Sequence, residues 1–379
     1  MRGLLALVAA VVLVDTVFFS VLAPLLPSYA AMLGLSKSAA GVLVGAFATG
    51  VLTAALPSGL LASRLGVRPT LLLGLGLTAV CSILFGLGSR FGVLLIARFA
   101  AGVGSACSWT AAVGWLARAA SPERRGELIG FAMSAAVAGA FLGPVLGAAA
   151  AWVGTGLAFG TVAAACVGLG ACIVTLREPD PAPRSVSLTS ALGIRALRVP
   201  FGLIMLTPLL FAVLGVLVPL ALSAQGWNAG QLGALFAGSA VLEAVVHPLL
   251  GRWADRQGAL RPVTTGLAGA AAVLVGFAGA DQPWLVSALV VVGAITFGAT
   301  LVPGMALLTR AADAAGLDSV LAIALANLAW ALGHAVGAPL CGWLADLAGD
   351  TFTYLASATL CVGVLLALRR QRVAGALRT

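Results

Sequence analysis

At 379 residues, 61% of them hydrophobic and only 9% charged, with a mean hydropathy of +1.12, the chain lies far from the roughly 25% charged content of soluble domains and reads as an integral membrane protein. Those values exclude a water-soluble enzyme or binding module. The net charge of +9 would suggest nucleic acid in a soluble chain; here the placement of the basic residues matters more than their sum.

A span of about 20 apolar residues crosses a bilayer. Apolar windows between polar or Gly/Pro breaks fall near 4–26, 41–62, 70–88, 92–116, 126–150, 154–176, 201–222, 231–252, 262–280, 284–309, 318–343 and 351–368. The expectation is twelve transmembrane helices. The first span is too long for a signal-peptide apolar core and reads as retained.

Span one carries Asp15 inside "VVLVDTVFFS". A carboxylate at the centre of a membrane helix costs roughly 2.5–3.5 kcal/mol on insertion scales and usually faces protein or a water-filled path. Span four carries Arg98, and span eight carries Glu243 and His247, four apart and so on one helical face. Span eleven presents Asn327, Trp330 and His334 at i, i+3 and i+7, a face with an amide, an aromatic wall and an imidazole that suits an amphiphilic or cationic ligand. A proton carrier must be charged in one step and neutral in another, which Asp15 and Glu243 both allow. Each feature also has a structural reading: Asp15 bonded to a Ser or Thr across a helix interface, Glu243 tying span eight to a neighbour, Arg98 snorkelling, Trp330 packing at a helix contact.

Eighteen arginines, among them Arg2, Arg64, Arg68, Arg184, Arg256 and Arg370, fall on one side of this layout, with only Lys37 and Arg90 on the other. Lys/Arg-rich short loops stay cytoplasmic, so both termini are expected inside. Twenty arginines against one lysine, with abundant Ala and Gly, fit a GC-rich bacterial genome and hence a multi-pass inner-membrane protein in contact with lipid.

The polar stretch 177–200, with four prolines and four arginines, divides the spans six and six. The expected domains are an N-terminal six-helix bundle over 1–176, a cytoplasmic linker over 177–200 and a C-terminal six-helix bundle over 201–379. The halves echo one another: Gly59 in "PSGLLASRLGVRP" and Gly251 in "HPLLGRWADRQGALRP" are 192 residues apart, and Gly143 in "GAFLGPVLG" and Gly337 in "GHAVGAPLCG" are 194 apart. Parallel repeats of this kind describe two bundles that rock around a midplane site.

Six cysteines show no CxxC or zinc-like spacing, and there are only two histidines, so neither a metal site nor a cofactor is expected. "GLGLTA" at 74–79 lacks the βαβ surroundings of a dinucleotide site. With no nucleophile–base motif either, an enzyme is not expected.

Over essentially its whole length the chain resembles the major facilitator superfamily. "GLLASRLGVRP" resembles the family's loop between helices two and three through Gly59, Arg64, Gly66 and Arg68, with Ser63 where an acid is usual; the second-half copy keeps Asp255 beside Arg256. "ARFAAGVGSACS" resembles the helix-four motif with Arg98, and "GAFLGPVLG", with Gly139, Gly143, Pro144 and Gly147, the helix-five motif of the antiporter branch. "VDTVFFSVLAPLLPSYA" and "SPERRGELIG" are similar to vesicular-amine-type transporters among the drug:proton antiporters, with two departures: Asn327 where an acid is expected and Glu243 where an amide is usual.

The resemblance implies a monomeric, proton-coupled exporter of small lipophilic or cationic compounds. Asp15, Glu243, Arg98 and His247 would couple protons, and Asp15, Asn327, Trp330 and His334 would bind substrate. A proton-coupled importer, or a sugar or metabolite exporter of the same fold, is the alternative.

Overall fold

The computed structural model describes residues 2–121, 124–176, 193–317 and 319–376. Arg177, Arg184 and most of the expected linker lie outside them, as do Pro122 and Glu123 of "SPERRGELIG". The described residues are helical with short turns. In hydrocarbon every backbone N–H and C=O must be satisfied internally, and a single apolar segment does this only as a helix.

The helices run α1 (Arg2–Ser20), α2 (Leu22–Leu33), α3 (Lys37–Arg64), α4 (Val67–Leu87), α5 (Phe91–Ala119), α6 (Arg125–Val153), α7 (Thr155–Thr175), α8 (Arg195–Ala224), α9 (Ala229–Gln257), α10 (Leu260–Ala278), α11 (Pro283–Ala314) and α12 (Ser319–Ala376). Among the described residues, eleven stretches are long and apolar enough to cross a membrane. One of them, Leu321–Arg370, has 50 residues, about 75 Å of helix, far more than the roughly 30 Å hydrocarbon core. It is folded at Gly349, whose φ of 88° and ψ of 166° are non-helical, so this stretch supplies two crossings. The described residues thus form twelve transmembrane segments, as the apolar windows predict.

Several boundaries differ from the apolar windows: α8 begins at Arg195, inside the stretch expected as linker, α11 runs on to Ala314, and two further differences bear on the motifs. Span one is broken at Val21 between α1 and α2 and runs on to Leu33. Pro24 offers no N–H to the Ser20 carbonyl, so the hydrogen-bond ladder is interrupted there while the backbone at Val21 stays helical, with φ −60° and ψ −23°. Span eight does not end at 252: α9 continues to Gln257, so Asp255 and Arg256 occupy its last turn, and the loop begins only at Gly258. Gly258 and Gly66, 192 residues apart, both take positive φ, 83° and 97°, a turn conformation open to glycine without strain.

The chain forms two compact units. The first comprises Met1–Leu35, Val42–Leu188 and Trp227–Ala237; the second comprises Ser36–Gly41, Thr189–Gly226 and Gly238–Thr379. Each uses the same pairings. In the first, α1 packs on α6 and α5, and α4 on α5 and α7; in the second, α8 packs on the first part of α12 and on α11, and α10 on α11 and the second part of α12. Individual contacts repeat as well. Thr155 donates its hydroxyl to the Gly86 carbonyl (2.8 Å) beside the Phe85–Phe159 ring pair (5.1 Å). Thr351 donates to the Ala278 carbonyl (3.5 Å) beside Phe277–Tyr354 (5.2 Å). The duplication read from glycine spacing is therefore a duplication of packing.

In the second unit the first turn of α3 is held by α12. The Lys37 and Ser38 backbone N–H groups donate to the two Asp346 carboxylate oxygens (3.1 and 2.8 Å), and Lys37 Nζ pairs with Asp350 Oδ1 at 2.6 Å. Large apolar side chains such as Ile96, Trp152, Leu157 and Val167 are exposed, as a surface solvated by acyl chains requires.

Candidate functional site

Asp15 lies in α1, 7% exposed, on the face that meets α5. Its Oδ2 accepts two hydrogen bonds from α5: one from Ser105 Oγ at 2.8 Å and one from Trp109 Nε1 at 2.7 Å. Two neutral donors on one oxygen solvate a carboxylate without neutralising it. Neither Ser105 nor Trp109 stands out in the sequence, though a signal was available: Arg98, Ser105 and Trp109 follow at i, i+7 and i+11, one face of a helix.

Arg98 heads that face and is 1% exposed, so it does not snorkel. Nor does it form an ion pair with a carboxylate among the described residues. Its Nη1 and Nη2 donate to the carbonyls of Phe18 (2.8 Å) and Phe19 (3.0 Å), in the last turn of α1 just before the break at Val21. The rings of Phe18, Phe47 and Phe85 lie 5.4, 5.2 and 5.8 Å from the guanidinium carbon. The cation sits on two backbone carbonyls, with aromatic faces in place of water. Arg98 thus grips the α1 backbone one turn beyond Asp15.

On α9, Glu243 Oε1 and His247 Nε2 stand 3.1 Å apart, each side chain 23% exposed, within ion-pair reach although not aligned as a hydrogen bond. A Cβ on Gly298 of α11 would come within 2.5 Å of His247 Nε2, so the missing side chain makes room for the imidazole. On α12 the Trp330 and His334 rings meet edge to face at 4.7 Å, while Asn327 is exposed. Asp15 belongs to the first unit; Asn327, Trp330 and His334 belong to the second.

The Major Facilitator Superfamily model matches residues 8–212 and 200–378, nearly the whole chain. The chain belongs to the Major Facilitator Superfamily. It is a multi-pass membrane transporter of that superfamily rather than an enzyme. The quinolone resistance protein NorA of Staphylococcus aureus is 30% identical over 124 residues, which is 33% of this chain and 32% of that protein. Multidrug resistance protein 1 of Bacillus subtilis is 25% identical over 235 residues, 60% of each chain. The chain therefore spans less than two thirds of the length of these relatives. A solved bacterial homolog of the human lysosomal transporter Spinster shares the fold, with a TM-score of 0.78 at 15% identity, covering 96% of this chain and 95% of that one.

The superfamily's motif residues fall as follows. Gly139, Gly143 and Gly147 of α6 form the seat of the first span: a Cβ would reach within 2.7 Å of the Leu13 carbonyl at Gly139 and 2.5 Å of the Val21 carbonyl at Gly147, and would overlap Ser20 Oγ at Gly143. Pro144 is accommodated without a break in α6. At the α3–α4 turn, Gly66 makes the corner and Arg68 Nη2 donates to the Val174 carbonyl at the end of α7. Arg64 ends α3, exposed, and Gly59 faces open space. Ser63, where an acid is usual, bonds its own helix at the Leu60 carbonyl (2.9 Å). In the second half Asp255 pairs not with its neighbour Arg256, which is exposed, but with Arg310 of α11, at 3.6 Å.

Proposed function

We propose that this transporter exports small lipophilic or cationic compounds from a bacterial cell in exchange for protons, with both termini cytoplasmic and the monomer as the working unit. The observation that carries the reading is Asp15: a buried membrane carboxyl held by two neutral donors and ion-paired with no cation among the described residues. Both donors converge on Oδ2, which leaves Oδ1 to take up a proton. Protonation cancels the most costly charge in α1, and deprotonation restores an anion that a cationic compound can balance in the proton's place. Such an alternation makes the exchange obligatory.

Glu243 with His247 supplies a second exchangeable pair, and Asn327, Trp330 and His334 supply the amide and rings for an amphiphilic cargo. The printed names of the two relatives, a quinolone resistance protein and a multidrug resistance protein, support efflux of such compounds. The segregation of arginines supports the orientation.

The test is purified Asp15→Asn protein in vesicles under an imposed proton gradient, challenged with a panel of quinolones and lipophilic cations. The expected outcome is normal insertion and loss of gradient-driven export. Wild-type proton-coupled export of every compound the parent moves would falsify the reading.

A further inference from the structure

The repeat assigns Asp15 and Ser105 a counterpart in the second unit. Thr207 stands 192 residues after Asp15, in α8, and Thr300 stands 195 after Ser105, in α11. Both lie within the 192 to 196 residues that separate the matching glycines and the matching Thr155 and Thr351 contacts. The two threonine hydroxyls meet at 2.6 Å, with 1% and 0% exposure, across the α8–α11 interface that corresponds to α1–α5. Each hydroxyl also reaches a carbonyl of its own helix, Thr300 that of Phe297 at 2.8 Å and Thr207 that of Leu203 at 3.4 Å, so either can supply the hydrogen between them. The rest of the polar face of α5 is erased in α11: 195 residues after Arg98 stands Gly293, and 195 after Trp109 stands Gly304.

We infer that the Thr207–Thr300 contact is the second half's copy of Asp15–Ser105, a pin that does not ionise and that positions the proline-containing helix α8 against α11. Thr207 directly precedes Pro208, which has no N–H and weakens the α8 ladder at that level. In the first half Asp15 likewise stands less than two turns before the break at Val21. Each half thus pins its first helix beside a proline-weakened point. Only the first pin changes its bonding with a proton. The titratable groups on the elements packed nearby are engaged elsewhere: His334, next to the Gly333 that abuts Pro208, meets Trp330, and His247 pairs with Glu243 against Gly298. The asymmetry between the pins rests on the proposed role of Asp15; the positioning role of the threonines does not.

Hydrogen–deuterium exchange of the full chain in lipid nanodiscs tests this. Thr207→Val keeps the methyl and shape while deleting the donor, and it orphans nothing because Thr300 still donates to Phe297. It should speed exchange in α8 around Pro208 about threefold, the factor expected of a typical interhelical hydrogen bond in a membrane protein. Thr207→Ser, which keeps the hydroxyl, should exchange as the parent does, and Asp15→Asn should alter α1 while leaving α8 unchanged. Parent-like exchange in Thr207→Val, or equal acceleration in Thr207→Ser, would overturn the inference, the latter by showing that the methyl and not the hydroxyl holds α8. Acceleration of α8 by Asp15→Asn would overturn the independence of the two pins. Should Thr207→Val fail to fold, Thr300→Val removes the same bond from the other helix and is read the same way. Failure of the Asp15 reading shows separately, as retained proton-driven export in vesicles.

Discussion

Trp109 donates its indole N–H to Asp15 at 2.7 Å, the shorter of the two bonds that hold the buried carboxylate against α5. An indole N–H is a donor only, so the contact orients the acid in its anionic form and cannot relay a proton. Trp109→Phe keeps the aromatic volume and removes that donor. The expected cost is about 1.5–3 kcal/mol of stability, the range for a bond to a charged group, read as a lower thermal midpoint in detergent. Ser105→Ala should do the same from the other bond, and the double variant should lose more than the sum because the acid is then left bare. Unchanged midpoints in both single variants would show that Asp15 does not depend on α5.

Arg98 spans two adjacent carbonyls with two nitrogens of one planar group, a geometry that an ammonium cannot reproduce. Arg98→Lys preserves the charge and loses at least one of these bonds inside an aromatic enclosure. We expect a destabilisation of about 1.5–3 kcal/mol with faster proteolysis near the α1–α2 break. Wild-type stability in Arg98→Lys would mean that the charge alone suffices.

The α6 glycines are expected to differ sharply from other helical glycines of the same unit. Gly143→Ala places a methyl onto Ser20 Oγ and the Val17 carbonyl, whereas Gly160→Ala meets nothing within 4 Å. Overpacking typically costs about 1–3 kcal/mol, while an unhindered helical Gly→Ala gains up to about 1 kcal/mol. Opposite signs in thermal unfolding are the expected outcome; equal effects would show that α1 does not rest on α6 as described.

Asp255 and Arg310 are largely exposed, at 72% and 63%, and 3.6 Å apart. Exposed pairs contribute about 0–1 kcal/mol, so Asp255→Asn should leave stability nearly unchanged. If the pair latches a conformation, turnover falls with little change in substrate affinity. A loss of affinity at unchanged rate would instead place Asp255 in cargo binding.

Orientation can be checked with single cysteines after Cys172, the exposed native thiol, is replaced. Cysteines at Arg184 and Arg370 should react only with reagent on the cytoplasmic side, and one at Lys37 only from outside. Labelling of Arg184 and Lys37 from one face would end the proposed topology.

Much of this architecture was legible in the sequence because a bilayer leaves little choice. An apolar segment of sufficient length must satisfy its own backbone, so twelve windows mark twelve crossings, and the repeated Gly143 and Gly337 mark repeated close approaches, whereas Gly59 faces open space. Glu243 and His247 needed only helical geometry, since i and i+4 always share a face. The first span's break was encoded in Pro24 and Pro27 but was masked by unbroken hydropathy. The extra turn of α9 was masked in the opposite way, by charges that looked like a loop.

What the tertiary structure decided is which partner each polar group takes. Hydropathy places Asp15 and Arg98 in the membrane but does not name the partner of either. Only the packing of α1 on α5 shows the carboxylate taking Ser105 and Trp109 while the guanidinium takes the Phe18 and Phe19 carbonyls. Nor does any local pattern name Thr207 and Thr300, because two threonines in separate helices carry no signal until the repeat brings them to the crossing that Asp15 and Ser105 occupy in the other half. Backbone satisfaction is local and is written along the chain; the partners of buried polar side chains depend on which helix faces meet, and that depends on all the packing contacts together.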